Sequence, residues 1–182
     1  GDFIAPKESN IKDYIGGFIV TSGNEIDDMY NKFKSEGDEY SAIMVKLIGD
    51  RLAEAFAEYL HYKVRTEFWG YSKEEVLDFT SLFDAKYKGI RPAIGYPSLP
   101  DHSEKRKLFD ILKGEVNTGV ELTENYLMTP VCSVCGLYFA NEDSKYFSID
   151  KISKEQMQDY CKRKGTSIES IERMMVNNLS YK

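Results

Sequence analysis

The sequence has no apolar run near the roughly 18 residues that a membrane-spanning helix needs, which argues against an integral membrane protein. No signal peptide opens the chain, and its three cysteines are too few for a disulfide framework. These absences predict a soluble cytoplasmic protein. The chain also lacks an initiator methionine, so we expect it to be a piece of a longer polypeptide.

Positive charge is not in excess either. The chain has 24 lysines and arginines against 30 aspartates and glutamates, which gives a net charge of −6. Binding to phosphate backbones needs a basic face, so nucleic acid is not expected as the main partner. The run Lys105-Arg106-Lys107 leaves room only for a local basic patch.

Metal-ligand patterns are sparse. Cys132-Ser-Val-Cys135 is a single pair, whereas a structural zinc site wants four ligands. Residues three apart in a strand point to opposite faces, so the two sulfurs would not converge. The two histidines, His61 and His102, show no ligand spacing between them. We therefore predict no metal site and interpret Cys132 and Cys135 as small buried strand residues.

What the sequence does contain is an ordinary globular composition, 42% hydrophobic and 30% charged, that suits one domain with a sizeable core. Periodicity and capping signals predict strands at 14–21, 131–139 and 145–149, the last two as a hairpin, and helices at 25–36, 40–69, 73–82, 104–113, 154–164 and 167–176. Strands and helices do not alternate regularly. We therefore predict an α+β fold, a twisted and largely antiparallel sheet flanked by helices, with a long amphipathic helix over about 40–69.

The long helix carries two stripes. An apolar arc at helical spacing is expected to face the core, and it comprises Val45, Ile48, Leu52, Ala55, Phe56, Tyr59 and Leu60. The opposite stripe is ionisable and comprises Asp50, Glu54, Glu58, His61 and Arg65. Spacing alone favours a solvated face with Glu–Arg pairs. The alternative is a cleft wall, in which Asp50 and Glu54 accept hydrogen bonds from a cationic or hydroxylated ligand.

The segment from Gly89 to His102 is too rich in proline and glycine to hold regular structure, and it is hard to explain as a mere connector. Prolines pre-set the shape of such a loop, and glycines let a ligand approach the backbone closely. Arg91 precedes Pro92 and is therefore pushed toward an extended conformation, which suits bidentate capture of a carboxylate. Tyr96 adds a flat face and a hydroxyl. A rigid structural loop, with Arg91 paired to a nearby acid, explains the same residues equally well.

Beyond these separate signals, several segments resemble, in order and nearly end to end, the activation domain of cobalamin-dependent methionine synthase. The matching segments are Asp2-Phe-Ile-Ala-Pro6, Asp13-Tyr-Ile-Gly16, Asp50-Arg-Leu-Ala-Glu-Ala-Phe-Ala-Glu-Tyr-Leu-His61, Trp69-Gly-Tyr71, Gly89-Ile-Arg-Pro-Ala-Ile-Gly-Tyr-Pro97, Pro100-Asp-His-Ser-Glu-Lys105, Leu122-Thr-Glu124, Ser133-Val-Cys-Gly-Leu-Tyr-Phe139 and Ser144-Lys-Tyr-Phe147.

The resemblance implies a domain that binds S-adenosylmethionine and supports reductive methylation of cob(II)alamin to methylcobalamin. The electron would come from a flavodoxin-like donor, and a partner module would hold the cobalamin. Because the cofactor supplies the nucleophile, no catalytic side chain is implied. By position, Glu54 and Arg91 would hold the amino-acid end or the ribose of S-adenosylmethionine. The other implied contacts are the backbone of Ala93 and Gly95 with the adenosine, Tyr96 near the cobalt face, Tyr146 and Phe147 against the ligand, and Asp50, Tyr96 and His102 with the cobalamin module.

The resemblance also implies that residues 1–182 are a single domain, the larger C-terminal part of an activation domain that belongs to a methyltransferase. An upstream part, which would contribute an acidic ligand, is expected to lie outside this chain. Its absence favours an alternative function, a non-catalytic docking module for a corrinoid protein or its flavodoxin-like reductase. The intact Arg91 loop and Glu54 favour S-adenosylmethionine binding.

Overall fold

The computed structural model describes residues 3–181 and confirms the α+β prediction for that range. The elements, in chain order, are β1 Gly16–Thr21, α1 Glu25–Ser35, α2 Glu39–Lys63, α3 Phe79–Phe83, α4 Glu104–Leu112, α5 Gly114–Thr118, β2 Glu121–Leu122, β3 Met128–Thr129, β4 Ser133–Tyr138, α6 Lys154–Lys164 and α7 Ile168–Met174. A π-helical turn, Val64–Phe68, continues α2, and short 3₁₀ turns lie at Lys7–Ser9 and Val176–Asn178.

The sheet that positions the site is centred on β4. On one side β4 pairs antiparallel with β1, from Gly16 opposite Tyr138 to Thr21 opposite Ser133. On the other side it pairs with the segment 90–94, where the amide of Ile90 donates to Phe139 O at 2.9 Å and the amide of Ile94 donates to Cys135 O at 3.1 Å. Strands β2 and β3 form a separate antiparallel pair.

The predicted hairpin of 131–139 with 145–149 is wrong. Residues 145–149 form no strand and lie instead beside the turn at 97–98, where the amide of Ile149 donates to Pro97 O at 2.9 Å. Both edges of β4 are already occupied, by β1 and by 90–94, so 145–149 has no free strand edge in this sheet to pair with.

The predicted helix at 73–82 is much shorter in the structure. Only α3 is helical there, and it is capped by Asp78, whose carboxylate accepts from the amide of Ser81 at 2.8 Å. The preceding residues form a turn because Glu75 is drawn inward to the buried side chain of Arg65, with its Oε1 2.7 Å from Arg65 Nη2. A tertiary ion pair therefore overrides the local helix signal.

The long helix has the predicted length, since α2 and its π-turn run from Glu39 to Phe68, and Gly70 follows in a left-handed conformation with φ +72°. Its predicted apolar face, however, is only partly right, since Val45 is buried and Leu60 packs against the core but the other large members are exposed. The side chains that α2 and its π-turn bury are Ala42, Val45, Gly49, Ala53, Ala57, His61, Val64 and Arg65. Large members of the predicted arc are exposed, for example Leu52 at 54% and Tyr59 at 58%.

Close packing explains which face of α2 is buried. A Cβ added at Gly49 would lie 2.8 Å from both Cys132 Sγ and Ile26 Cγ2, so only small residues let α1 and the start of β4 approach this closely. The large apolar residues are left on the outer face. An exposed apolar face of this kind is typical of interaction surfaces.

The core consists of three clusters. Helix α2 packs on one face of the sheet through Phe18, Val20, Ala53, Ala57, Val64, Val134 and Tyr138. Helix α4 packs on the other face through Ile94, Leu108, Phe109, Val120 and Cys135. The helix pair α6–α7 has its own small core of Met157, Cys161, Ile171 and Met175.

The two cysteines of the Cys132–Cys135 pair lie on opposite sides of the sheet, as the strand spacing predicts. Cys132 Sγ lies 3.7 Å from Lys46 O on α2, whereas Cys135 belongs to the α4 cluster. Burial raises the pKa of each thiol to about 11. Within residues 3–181, no three histidine, cysteine or acidic side chains converge in a metal-binding arrangement. No helix in this range has the combined length and apolar character that crossing a membrane demands.

Candidate functional site

A cleft of about 1430 Å³ opens between α2, the segment 75–87 and the loop that follows Gly89. That volume exceeds the roughly 300–1000 Å³ of most small-molecule sites. Its lining includes the acids Glu54 and Glu58 and the base Arg91 among aromatic and apolar side chains. The aromatic members are Tyr59, Tyr62, Phe79, Phe83, Tyr87, Tyr96, Tyr146 and Phe147.

The first part of the proline-glycine segment forms the sheet edge of this cleft. Along this edge Ile90, Pro92 and Ile94 are buried, and Arg91, Pro92 and Ala93 line the cleft. As the sequence predicts, the segment holds no helix or strand, and it meets β4 and Phe139 through isolated bridges, Ile90 with Phe139 and Ala93 with Gly136. Arg91 lies between these two bridges, which agrees with the extended conformation expected of it.

The second part is a tight turn that presents Tyr96. The amide of Gly95 donates to Leu99 O at 2.7 Å, and the amide of Leu99 donates to Tyr96 O at 2.8 Å. This leaves Tyr96 55% exposed at the cleft. Gly95 has φ +97°, and an added Cβ would lie 2.6 Å from the ring of His102. His102 therefore packs behind the loop, with Nδ1 3.0 Å from Lys105 Nζ, and does not line the cleft.

The far end of the loop is anchored to helix α6. Asp101, only 5% exposed, accepts from Lys164 Nζ at 2.5 Å, Tyr160 OH at 2.7 Å and Ser103 Oγ at 2.6 Å. Burial opposes ionisation of this carboxyl, but the hydrogen bonds from Lys164, Ser103 and Tyr160 outweigh it and lower the pKa of Asp101. The charged form is thus held between α6 and the loop.

Two aromatic side chains reach the cleft from the segment after the β4 strand. Ser98 Oγ donates to Phe147 O, which ties this segment to the loop. The hydroxyl of Tyr146 accepts from the backbone N–H of Arg91 at 3.0 Å. The rings of Tyr146 and Phe147 remain 45% and 49% exposed, so both offer faces to a ligand.

Arg91 is the most constrained charged group of the cleft. Its Nη2 donates to Glu58 Oε2 at 2.9 Å, and its Nη1 lies 4.0 Å from Glu54 Oε2. Its Nε is buried and has no hydrogen-bond partner within residues 3–181. The pKa of Arg91 is raised because the bond and charge of Glu58 outweigh its burial. The side chain is 17% exposed, and a permanently charged guanidinium suits an anionic group.

The ionisable stripe of α2 divides along its length. Asp50 is exposed and lies outside the cleft, Glu54 and Glu58 line the cleft, and His61 and Arg65 are fully buried. The solvated-face interpretation is therefore wrong for His61 and Arg65. The segment 71–87 and β4 cover this end of the helix, and the helix predicted over 73–82 did not indicate that Glu75 and Tyr87 belong to the site.

We expect His61 to make the protein sensitive to mild acid. Burial, followed by the charges of Arg65 and Arg91, lowers the pKa of His61 from 6.5 to about 2. In the unfolded chain the imidazole binds a proton below pH 6.5, whereas the folded protein excludes that proton until the pH nears 2. Stability contributed by the neutral ring is therefore present above pH 6.5 and falls by about 1.4 kcal/mol per pH unit below it, or about 2 kcal/mol by pH 5.

Urea unfolding at pH 7, 6 and 5 measures this slope. His61→Gln should remove most of it, whereas His102→Gln, at a half-buried histidine, should change it less. An unchanged slope in His61→Gln would mean that folded His61 accepts the proton.

Comparison with known proteins places the chain in a family. The family described as the activation domain of vitamin B12-dependent methionine synthase matches residues 1–165. This chain belongs to that activation-domain family. Among solved structures, the crystal structure of the MetH reactivation domain bound to AdoHcy has a TM-score of 0.96 and 48% sequence identity. The match covers 100% of this chain and 56% of that chain, so this activation-domain chain spans little more than half the length of its solved relative.

The family predicted from the motifs is therefore confirmed. The structure brings most of the predicted site residues of this activation domain to one cleft: Glu54, Arg91, Ala93, Tyr96, Tyr146 and Phe147. Gly95 flanks the cleft through its turn. Asp50 and His102, predicted to contact a cobalamin module, lie outside it, and their role stays a prediction.

Proposed function

We propose that this chain is the S-adenosylmethionine-binding part of a methionine synthase and that it supports reductive methylation of oxidised cobalamin held by a partner module. The observation that carries the proposal is Arg91, whose partly exposed guanidinium lines an aromatic cleft beside two acids of α2, Glu54 and Glu58. The 48% identity to a domain solved with AdoHcy, the demethylated product of S-adenosylmethionine, supports the same ligand.

The residues of the cleft suit each part of this ligand. Arg91 offers charge-assisted hydrogen bonds to the carboxylate. Glu54 is an acceptor for the ammonium group or the ribose hydroxyls. The rings of Tyr146 and Phe147 provide apolar faces for the adenine, and an aromatic face also attracts a sulfonium. The backbone at Ala93 and Gly95 carries no large side chain, so the ligand can approach it closely.

The chain's own contribution to the reaction is positioning and desolvation. The cobalamin, when bound in its own module, supplies the metal nucleophile, so no side chain of this chain needs to act as a base. Tyr96, exposed at the cleft, is the side chain that we place toward the cobalamin. Burial, together with the negative charges of Glu54 and Asp50, raises the pKa of Tyr96, which keeps its hydroxyl protonated.

The same proposal implies a cellular compartment, an electron donor and a contact with the cobalamin module. We place the protein in the cytoplasm, with a flavodoxin-like electron donor and with Asp50 at the contact to the cobalamin module. The three buried free cysteines fit a reducing compartment.

A second candidate function, a non-catalytic docking module for a corrinoid protein or its reductase, is favoured by the exposed apolar face of α2.

Calorimetry with AdoHcy tests the proposal. We expect saturable binding by the wild-type chain and a loss of roughly 100-fold in affinity for Arg91→Ala, because an unpaired ligand carboxylate then remains in the cleft. Lys88→Ala, an exposed lysine three residues earlier, is the matched control and should bind normally. With 5′-methylthioadenosine, which has no amino-acid carboxylate, Arg91→Ala and wild type should bind equally.

The opposing outcomes separate the candidates. Absence of saturable AdoHcy binding by a folded wild-type chain contradicts S-adenosylmethionine binding, and binding of an isolated cobalamin module would then support the docking function. Equal AdoHcy affinity of wild type and Arg91→Ala preserves the ligand but removes the role of Arg91.

A further inference from the structure

Arg91 is held at both its backbone and its side chain by residues that converge from three different segments. Its side chain donates to Glu58 on α2 at 2.9 Å. Its backbone amide donates to the hydroxyl of Tyr146 at 3.0 Å, and that hydroxyl lies 3.3 Å from the hydroxyl of Tyr87. Contacts to both the backbone and the guanidinium restrict the orientation of Arg91 more than an ion pair alone, which would hold only the side chain.

The contacts close into a ring through the buried Arg65. The guanidinium carbon of Arg65 lies 4.3 Å from the centre of the Tyr87 ring, a cation–π arrangement. Its Nη1 lies 3.9 Å from Glu58 Oε1. Arg65 itself is fully buried and fixed by Glu75, to whose two oxygens its Nε donates at 2.8 and 3.0 Å. Arg65 therefore contacts both Glu58, which binds the side chain of Arg91, and Tyr87, which reaches the backbone of Arg91 through Tyr146.

Four buried polar atoms of this ring have no hydrogen-bond partner within residues 3–181: Glu58 Oε1, Arg65 Nη1, Arg65 Nη2 and Arg91 Nε. Buried polar atoms are normally satisfied, and exceptions concentrate where a protein has a functional reason to keep them. Glu58 lies between two guanidinium groups, with its Oε2 2.9 Å from Arg91 Nη2 and its Oε1 3.9 Å from Arg65 Nη1. An optimised fold-stabilising ion pair would have no such unsatisfied atoms.

We propose that Glu58, Arg65 and Tyr87 are positioning residues that fix Arg91 and Tyr146 in the orientation that receives the ligand. This inference rests on the proposed S-adenosylmethionine site and adds to it residues whose effect on binding passes through Arg91 and Tyr146. Glu58 and Tyr87 border the same cleft, so direct ligand contact is the competing role for both.

A double-mutant cycle separates positioning from direct contact. Calorimetry with AdoHcy compares wild type, Glu58→Gln, Arg91→Ala and the double variant. We expect Glu58→Gln, which keeps the shape but removes the charge, to weaken binding about tenfold in the wild-type background and less than twofold in the Arg91→Ala background. An equal loss in both backgrounds overturns the positioning role, since Glu58 would then act on the ligand without Arg91.

Tyr87→Phe provides an independent second cycle, because it removes one hydroxyl and keeps the ring over Arg65. We expect about threefold weaker AdoHcy binding in the wild-type background and no further loss in the Tyr146→Phe background. Equal losses in both backgrounds contradict the Tyr87 part of the ring. This variant preserves the core packing, so it keeps the inference testable if Glu58→Gln fails to fold.

A readout without ligand keeps this inference separate from the proposed function. Side-chain NMR of the Arg91 Nε–Hε group should show restricted motion in the wild-type chain and averaging in Glu58→Gln. Restricted motion of Arg91 together with no AdoHcy binding by the wild-type chain would contradict the proposed function but not the positioning role. Normal AdoHcy binding with a mobile Arg91 in the wild-type chain would overturn the positioning role alone.

Discussion

Glu75→Ala should lower the free energy of unfolding by about 3–5 kcal/mol, the largest effect that we expect of a single substitution in this chain. Glu75 is the acid that neutralises Arg65, whose side chain has no exposed surface, and the Glu75 side chain itself is only 6% exposed. Removing the acid leaves a buried guanidinium with only the more distant Glu58 as a counter-charge. Arg65 cannot escape this cost by losing its proton, because a guanidinium stays charged at any ordinary pH.

Glu74→Ala is the matched control, since Glu74 is the exposed neighbour on the same turn. Urea denaturation of both variants measures the difference, and Glu74→Ala should unfold within about 0.5 kcal/mol of wild type. If Glu75→Ala were as stable as its control, Arg65 would have to reach solvent or another acid, and the segment 71–87 would not cover the end of α2.

Gly136→Ala should cost about 3 kcal/mol, the upper part of the range for overpacked sites, and should also weaken ligand binding. Gly136 lies in the middle of β4, opposite the edge segment that carries the site. An added Cβ would collide with Pro92 O and would lie 3.0 Å from Ala93 Cα and 2.9 Å from Phe18 Cε1. Two of these neighbours are backbone atoms of the segment that holds Arg91, so relief requires that segment to move.

Gly119→Ala separates steric collision from backbone strain. Gly119 has φ +70° and nothing within 4 Å of an added Cβ, so its substitution should cost only the roughly 1 kcal/mol of a left-handed alanine. Denaturation of both variants, with AdoHcy calorimetry on the folded ones, makes the comparison. Unchanged stability and affinity of Gly136→Ala would mean that the edge segment is not held against β4 as the structure has it.

Gly136 also shows why the sequence was a good guide to the local conformation of the loop and a poor guide to the strand with which the loop pairs. Proline after Arg91 restricts the arginine to an extended conformation whatever surrounds it, and the structure has that conformation. Which strand the extended segment pairs with depends on the small size of Gly136, 45 residues further along the chain. No local pattern carries that information.

The long helix illustrates a second limit. Its length and its end at Gly70 follow from local periodicity and capping, and both predictions hold. Its buried face does not follow, because burial depends on how closely neighbouring elements approach. Small residues such as Ala53 and Gly49 permit close approach and become the core face, whereas Leu52 and Phe56 remain outside. A hydrophobicity pattern weighs the large residues most and therefore selected an arc that is mostly exposed.

Of the candidate site, the sequence by itself determined the residue types and part of the local conformation: a proline-restricted arginine, a proline- and glycine-rich segment that carries Tyr96, and acids at helical spacing on α2. These features act over a few residues, where backbone sterics and hydrogen bonding dominate. Only the tertiary structure decided that Glu54 and Glu58 face Arg91, that His102 packs behind the loop, and that Arg65 is buried on Glu75 beneath Tyr87. Burying a charge is tolerable only when distant segments supply its partners at once, and that condition belongs to the packed chain as a whole.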